Sequence, residues 1–295
     1  MIYHYTTVEA FYNILATYKS LEDKDYLIFW ASSILNQNDK KELSMSAEKL
    51  MPVVKEIERD VKITISNLRK LSTIDEQNWI PTLIGHEVRD SIKGFYHDEI
   101  NIPYTISFGQ YEDKLLMWSM YANNGNGLCL AFDEEILKTT NYHKFVIPDK
   151  VVYENDPKKC KEIIRLFYDS YLEEIKNENI IDSIYKLKCS YWERILMGVS
   201  PFMKNKAFKD EAEFRFAYFI TRETPVYTRL TSHANVINYI KVKIPLEALK
   251  HIVIGPCANY KKTKTLLVEN MKTCKIEKDY NRSFIRKSQV PYRIF

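Results

Sequence analysis

Glycine is scarce in this chain, with seven in 295 residues. None of them forms Gly-x-Gly-x-x-Gly or Gly-x-x-x-x-Gly-Lys, so the backbone cradles that usually hold phosphates are missing and a bound nucleotide would have to be held by side chains. Gly125-Asn126-Gly127 reads as a turn. The five cysteines, Cys129, Cys160, Cys189, Cys257 and Cys274, are odd in number and widely spread, without a Cys-x-x-Cys pair. That pattern argues against a zinc ribbon or a redox dithiol and fits reduced, mostly buried thiols. No stretch approaches eighteen uninterrupted apolar residues, and the start Met1-Ile2-Tyr3-His4 lacks the basic and apolar run of a signal peptide. The expectation is a soluble cytoplasmic protein with no membrane attachment. No tract rich in Gly, Ser or Pro marks a linker, and no repeat or low-complexity segment is present.

What the chain does have is apolar mass, at 45% hydrophobic residues, which suffices for a sizeable core. The net charge of +4 is mild for this length and does not by itself point to nucleic acid. Aromatic residues are plentiful, with 21 Tyr, 14 Phe and 4 Trp, and could serve as stacking platforms as well as packing. Near the C-terminus, Tyr280 to Ser288 mixes cations with rings, as a surface contacting phosphates and bases would. An exposed strand with ordinary basic residues explains that stretch equally well.

Ile2 to Tyr5 reads as a short strand, followed by a capping box, Thr6-Thr7-Val8-Glu9, and a helix with Val8, Phe11, Leu15 and Tyr18 on one stripe. Further strands are expected over Tyr26 to Ala31, Ile102 to Phe108, Leu128 to Phe132, Lys150 to Tyr153, Tyr239 to Pro245 and His251 to Pro256. Two more are expected to start at Lys275 and Ser283. Helices are expected from Val54 to Leu71, from Glu112 to Ala122 and from Tyr260 to Met271. The Lys/Glu-rich region 157–205 reads as a helical insertion. Together these give a single α+β domain over 1–295.

The run Lys209-Asp210-Glu211-Ala212-Glu213-Phe214-Arg215-Phe216 concentrates the chemistry. As a strand from Glu211 it places Glu211, Glu213 and Arg215 on one face and Ala212, Phe214 and Phe216 on the other. Neighbouring carboxylates raise each other's proton affinity, an adjacent Arg opposes the shift, and such a pair suits a reaction that develops positive charge. A solvent-facing strand stitched by ion pairs is the plainer reading of the same alternation.

The ordered set Tyr3-His4-Tyr5-Thr6, Asn38-Asp39-x-x-Glu42, Ser107-Phe108, Met117-Trp118-Ser119-x-Tyr121-Ala122, Gly127-x-Cys129-x-x-Phe132, Val152-Tyr153, Glu211-x-Glu213-x-Arg215, Ile254-Gly255 and Ser288-x-Val290-Pro291-Tyr292-Arg293 resembles the uncharacterised bacterial domain-of-unknown-function family 2971. Lys40 stands where that family's Asn-Asp-Pro turn has proline. The skeleton is in turn similar to the ADP-ribosyltransferase superfamily, which implies split mixed and antiparallel sheets flanked by helices, with NAD as substrate. By that resemblance His4, with Tyr5 and Thr6 beside it, would bind the adenosine ribose, and Tyr121 or Trp118 would stack on nicotinamide. Glu213 would meet the nicotinamide ribose, Glu211 would orient or deprotonate an acceptor, and Arg215 would neutralise a pyrophosphate or hold Glu211.

The function expected is therefore NAD-dependent ADP-ribosyl transfer to a protein or nucleic-acid acceptor, in a bacterial toxin or anti-phage setting, with an inhibitory partner or antitoxin conceivable. With water as acceptor the same site would be an NAD glycohydrolase. A Mg-dependent nuclease built on Asp210, Glu211 and Glu213, with Lys206 or Lys209 assisting, is the competing chemistry. A sensor that binds a nucleotide or nucleic acid without turnover is the non-enzymatic alternative.

Overall fold

Thr7 starts the first helix. Its backbone is extended and its side-chain oxygen accepts from the amide of Ala10 at 3.0 Å. Glu9 in the first turn and Lys19 in the last complement the helix dipole, and the stripe Phe11, Leu15 and Tyr18 is buried. The amphipathic helix expected from the sequence is thus present as α1 (Val8–Ser20), but its cap is Thr7, because Thr6, the cap of the expected box, belongs to β1.

The structure, a computed structural model, describes residues 1–36, 46, 49, 102–140, 146–154, 156–166, 197–220, 223–230 and 235–292. In chain order its elements are β1 (Ile2–Thr6), α1, β2 (Tyr26–Ser33), β3 (Pro103–Gly109), α2 (Leu115–Tyr121), β4 (Leu128–Phe132) and α3 (Glu134–Thr140). They continue with β5 (Val146–Lys150), β6 (Val152–Tyr153), β7 (Met203–Lys204), β8 (Glu213–Phe219), β9 (Tyr227–Leu230), β10 (Val236–Pro245), β11 (Leu249–Ile254), α4 (Tyr260–Thr273) and β12 (Ile285–Lys287). The chain is an α+β protein. The helix expected from Val54 to Leu71 and the polar turn at Asn38, Asp39 and Glu42 lie outside the described residues. Of the expected helical insertion, residues 157–166 and 197–199 are helical, but it closes on a 3-10 turn, Ser200–Phe202, and on β7. The strand expected from Lys275 is absent: Lys275 takes a left-handed φ of 58°, Ile276 bonds back to Met271, and the segment caps α4 instead.

Ten strands share one sheet, in the order β12-β11-β4-β1-β3-β2-β10-β9, with β8 on the other edge of β3 and β5 beyond it. All neighbours in it are antiparallel except β11 and β12. β8 pairs with β3 along its whole length, from Pro103–Phe219 to Gly109–Glu213. The opposite edge of β3 is therefore shared by two strands. β2 joins it at Tyr104 and Thr105, and β1 only at Gly109. Between these contacts the sheet forks.

His4 occupies the fork. Its Nδ1 lies 3.0 Å from the carbonyl oxygen of Ser107, so that nitrogen carries the proton and donates. The ring stands edge-on to Phe29 of β2 and Phe108 of β3 at 5.4 and 5.7 Å.

Alternation assigns the two faces of the sheet. One carries Phe29, Phe108, Phe132, Phe214, Phe216, Ile240 and Ile252 and is covered by α1, α3 and α4 through Leu15, Leu137 and Leu267. The other carries Ser107, Glu213 and Arg215, and α2 stands over part of it, with Trp118 fully buried against Tyr5, Cys129 and Val253.

Candidate active site

Asn205 caps a 3-10 run, Lys206–Glu211, accepting from the amide of Ala207 at 2.9 Å. Ala212 then takes a left-handed conformation, φ 46° and ψ 56°, and β8 begins only at Glu213. The expected strand from Glu211 is thus two residues too long. The alternation that suggested it belongs to β8 alone, while Glu211 ends the preceding turn. Nor does this carboxylate strand face solvent: Glu211, Glu213 and Arg215 are 2%, 4% and 0% exposed.

A fourth charge completes the cluster. Lys204, on β7 and 1% exposed, places Nζ 2.6 Å from Glu211 Oε2 and 3.1 Å from Glu213 Oε2. Arg215 grips Glu213 with Nε on Oε1 at 2.8 Å and Nη2 on Oε2 at 3.0 Å, and donates through Nη1 to the Pro201 carbonyl at 2.8 Å. Two anions and two cations balance, which is the condition under which buried charge is tolerable. Tyr121 of α2 donates its hydroxyl to Glu211 Oε1 at 2.7 Å. The hydroxyl of Tyr153 accepts the Glu213 amide at 3.0 Å, and burial pushes this phenol up to about 12.

The two carboxylates are not equivalent. Burial alone would raise Glu213, but the charges of Arg215 and Lys204 and hydrogen bonds from Arg215 and Ser107 outweigh it and hold the group at about 2. It is ionised at every physiological pH. Two donors from Arg215 and one from Lys204 occupy three of the roughly four acceptor positions of the Glu213 carboxylate, which lies beside Ser107. Glu211, 2% exposed, accepts from Lys204 and Tyr121 among the described residues, so it has about two fewer acceptor positions in use than a fully bonded carboxylate. Glu213 is built into a frame, and Glu211 is the less fully bonded of two buried carboxylates.

The structure brings Glu211, Glu213, Arg215 and Tyr121 together. It does not bring His4 to them: His4 packs on the Phe108 face, and Glu213 projects from the opposite one beside Ser107. Trp118 is also no stacking platform, being fully buried with Nε1 donating to Asp113 at 2.7 Å. Tyr5 is buried, donating to the Tyr111 carbonyl at 3.1 Å and accepting from the Lys114 amide at 2.8 Å, and Thr6 is buried in β1. Asp210 lies on the 3-10 turn, with its carbonyl accepting from Lys114. Among the described residues no group of three His, Cys, Asp or Glu side chains is disposed to hold a metal ion.

Sequence reasoning missed Lys204, Tyr153 as a hydrogen-bond partner, and Ser107. Lys204 carried one signal: unlike Lys206 and Lys209, it follows an apolar pair, Phe202-Met203, at a strand position. A hollow of ≈ 310 Å³ opens beside Tyr153, lined also by Val151, Val152, Asp156, Lys159 and Lys209. In the C-terminal stretch Phe284 and Ile285 are buried, Arg286 reaches Glu112 at 3.4 Å, and Arg282 and Lys287 are exposed. Among the described residues no helix is long and apolar enough to cross a membrane.

Residues 117–216 match the model of a family described as protein of unknown function (DUF2971). The matched stretch runs from α2 to β8 and so contains Tyr121, Tyr153, Lys204, Glu211, Glu213 and Arg215. No curated protein and no solved structure matches the chain. The family match supports the resemblance seen in the sequence over the third of the chain that holds the buried charge cluster.

Proposed function

We propose that the protein transfers ADP-ribose from NAD to an acceptor, with Glu211 as the carboxylate that meets the substrate. The observation that supports this reading is that Glu211 is fixed between Lys204 and Tyr121 at 2.6 and 2.7 Å with acceptor capacity left, while Glu213 already takes three donors from two cations. Breaking the nicotinamide glycosidic bond leaves the electron pair on nicotinamide and positive charge on the ribose. A carboxylate already oriented beside that carbon stabilises the transition state more than the ground state. The acceptor nucleophile then bonds to the ribose and gives up its proton.

In this reading Glu213, Arg215 and Lys204 are positioning residues. They hold Glu211 and relay no proton, in keeping with a Glu213 carboxyl that stays ionised. Lys159 and Lys209, lining the hollow beside Tyr153, offer positive charge to a pyrophosphate. The divergence of β1 and β2 along β3 is in keeping with the split sheets that the resemblance implies, and His4 serves as the prop of the fork.

The test is release of free nicotinamide from NAD by the purified chain, with and without cell extract. Release that requires extract supports transfer, and release without it assigns water as the acceptor. Absence of release in both, with cleavage of RNA or DNA in the presence of Mg²⁺, would replace this reading by the nuclease.

A further inference from the structure

The face of β2, β10 and β9 opposite the core carries an arrangement that the charge cluster does not use. Register puts Trp30 of β2, Tyr239 of β10 and Tyr227 of β9 on that face in adjacent strands. Tyr239 stacks on Trp30 at 4.6 Å and 30°, and Tyr227 on Tyr239 at 5.6 Å and 26°. The ring pairs of the core, by contrast, meet edge-on, as in Phe29–Phe132 and Phe108–Phe216. Trp30 and Tyr227 are 42% and 37% exposed. Three cations lie over these and a neighbouring ring: Lys241 over Tyr227 at 4.4 Å, Arg229 over Trp30 at 5.7 Å and Lys243 over Tyr26 at 5.0 Å. The three strands contain no Asp or Glu, and Lys243 pairs with Asp23 at 3.1 Å.

We propose that this face binds single-stranded nucleic acid. Tyr239 is 8% exposed between the other two rings, so Trp30 and Tyr227 at the ends of the stack are the rings that unpaired bases can reach, and the cations interleaved on strands without acid suit a phosphate backbone. A duplex keeps its base faces stacked inside and cannot use such rings. The surface lies on the same side of the sheet as the charge cluster, because Ser32 of β2 pairs with Thr105, which shares its face with Ser107 and Arg215. Binding needs neither NAD nor Glu211. Only the corollary, that the acceptor is a nucleic acid, rests on the transfer reading.

The experiment is fluorescence anisotropy of labelled oligo-dT and oligo-U, each about 15 nucleotides long, titrated with the full chain at low and moderate salt. Binding of either strand is expected, and the stronger arm identifies DNA or RNA. Trp30→Ala is expected to weaken it about tenfold or more, and Lys241→Gln to reduce the log–log salt slope by about 0.7. Lys241 is exposed and its substitution should leave the thermal transition unchanged, whereas Trp30→Ala also removes the stack on Tyr239, so its binding is compared below its own transition, and Glu211→Gln should bind like the unaltered chain. No binding at low salt, equal binding of a duplex of the same length, affinity retained in a Trp30→Ala, Tyr227→Ala double variant, or preference for anionic lipid vesicles would each overturn the proposal.

Discussion

The hydroxyl of Tyr121 on α2 donates to Oε1 of Glu211 at 2.7 Å and so ties the helix to the turn ahead of β8. Tyr121→Phe removes that donor while leaving the ring, and Glu211 is then a buried anion with one described partner fewer. A loss of about 1–3 kcal/mol in unfolding free energy is expected from urea titration.

Lys204 bridges both carboxylates from a site that is 1% exposed. Lys204→Met leaves Glu213 with Arg215 but strips Glu211 of its only described cation, and a cost of about 3–5 kcal/mol follows for a broken buried pair. Adding Glu211→Gln removes the orphaned charge. The double variant is expected to recover part of the loss, so the two substitutions should be strongly non-additive in denaturant unfolding.

Stability should fall with acid in two separate windows. Burial holds the His4 imidazole below its usual 6.5, against the opposing hydrogen bond to Ser107, so the unfolded chain takes up that proton first. Its contribution is present above pH 6.5 and is lost as pH falls below it. Glu213, held at about 2 instead of 4.5, contributes stability that is present above 4.5 and lost as pH falls towards 2. That second step is on the order of 3 kcal/mol. Chemical denaturation across pH 3 to 8 checks both, and His4→Gln should remove the upper window and leave the lower.

Much of the sheet was legible because its strands alternate cleanly or run apolar between turn residues. β4 ends where its sequence does, at Phe132, and β10 follows the alternation of Tyr239 to Pro245. The short strands were hidden: β7 has two residues and β9 is exposed along its length, so neither carries a hydrophobic period. The charge cluster was half visible. Glu211, Glu213 and Arg215 stand close in sequence, but a left-handed Ala212 is not dictated by its side chain and shortens the strand. Lys204 reaches them through strand pairing of β7 with β6, which no local pattern announces. The placement of His4 depends on which edge of β3 the first strand meets, a tertiary fact.

Tyr218 faces the core from β8, and its buried hydroxyl has no hydrogen-bond partner among the described residues. An unsatisfied buried hydroxyl costs about 1–3 kcal/mol, so Tyr218→Phe is expected to raise the thermal midpoint or leave it unchanged. A clear destabilisation would mean that the hydroxyl is satisfied in solution.

The division of labour between the two carboxylates is decided most directly by single-turnover nicotinamide release from NAD, comparing Glu211→Gln with Glu213→Gln on protein shown to be folded. Glu211→Gln is expected to lose about a hundredfold or more in rate with near-native substrate binding. Glu213→Gln should instead lower the unfolding midpoint and retain more of the rate in its folded fraction. Unchanged release by Glu211→Gln, alongside abolished release by a fully stable Glu213→Gln, would contradict the assignment.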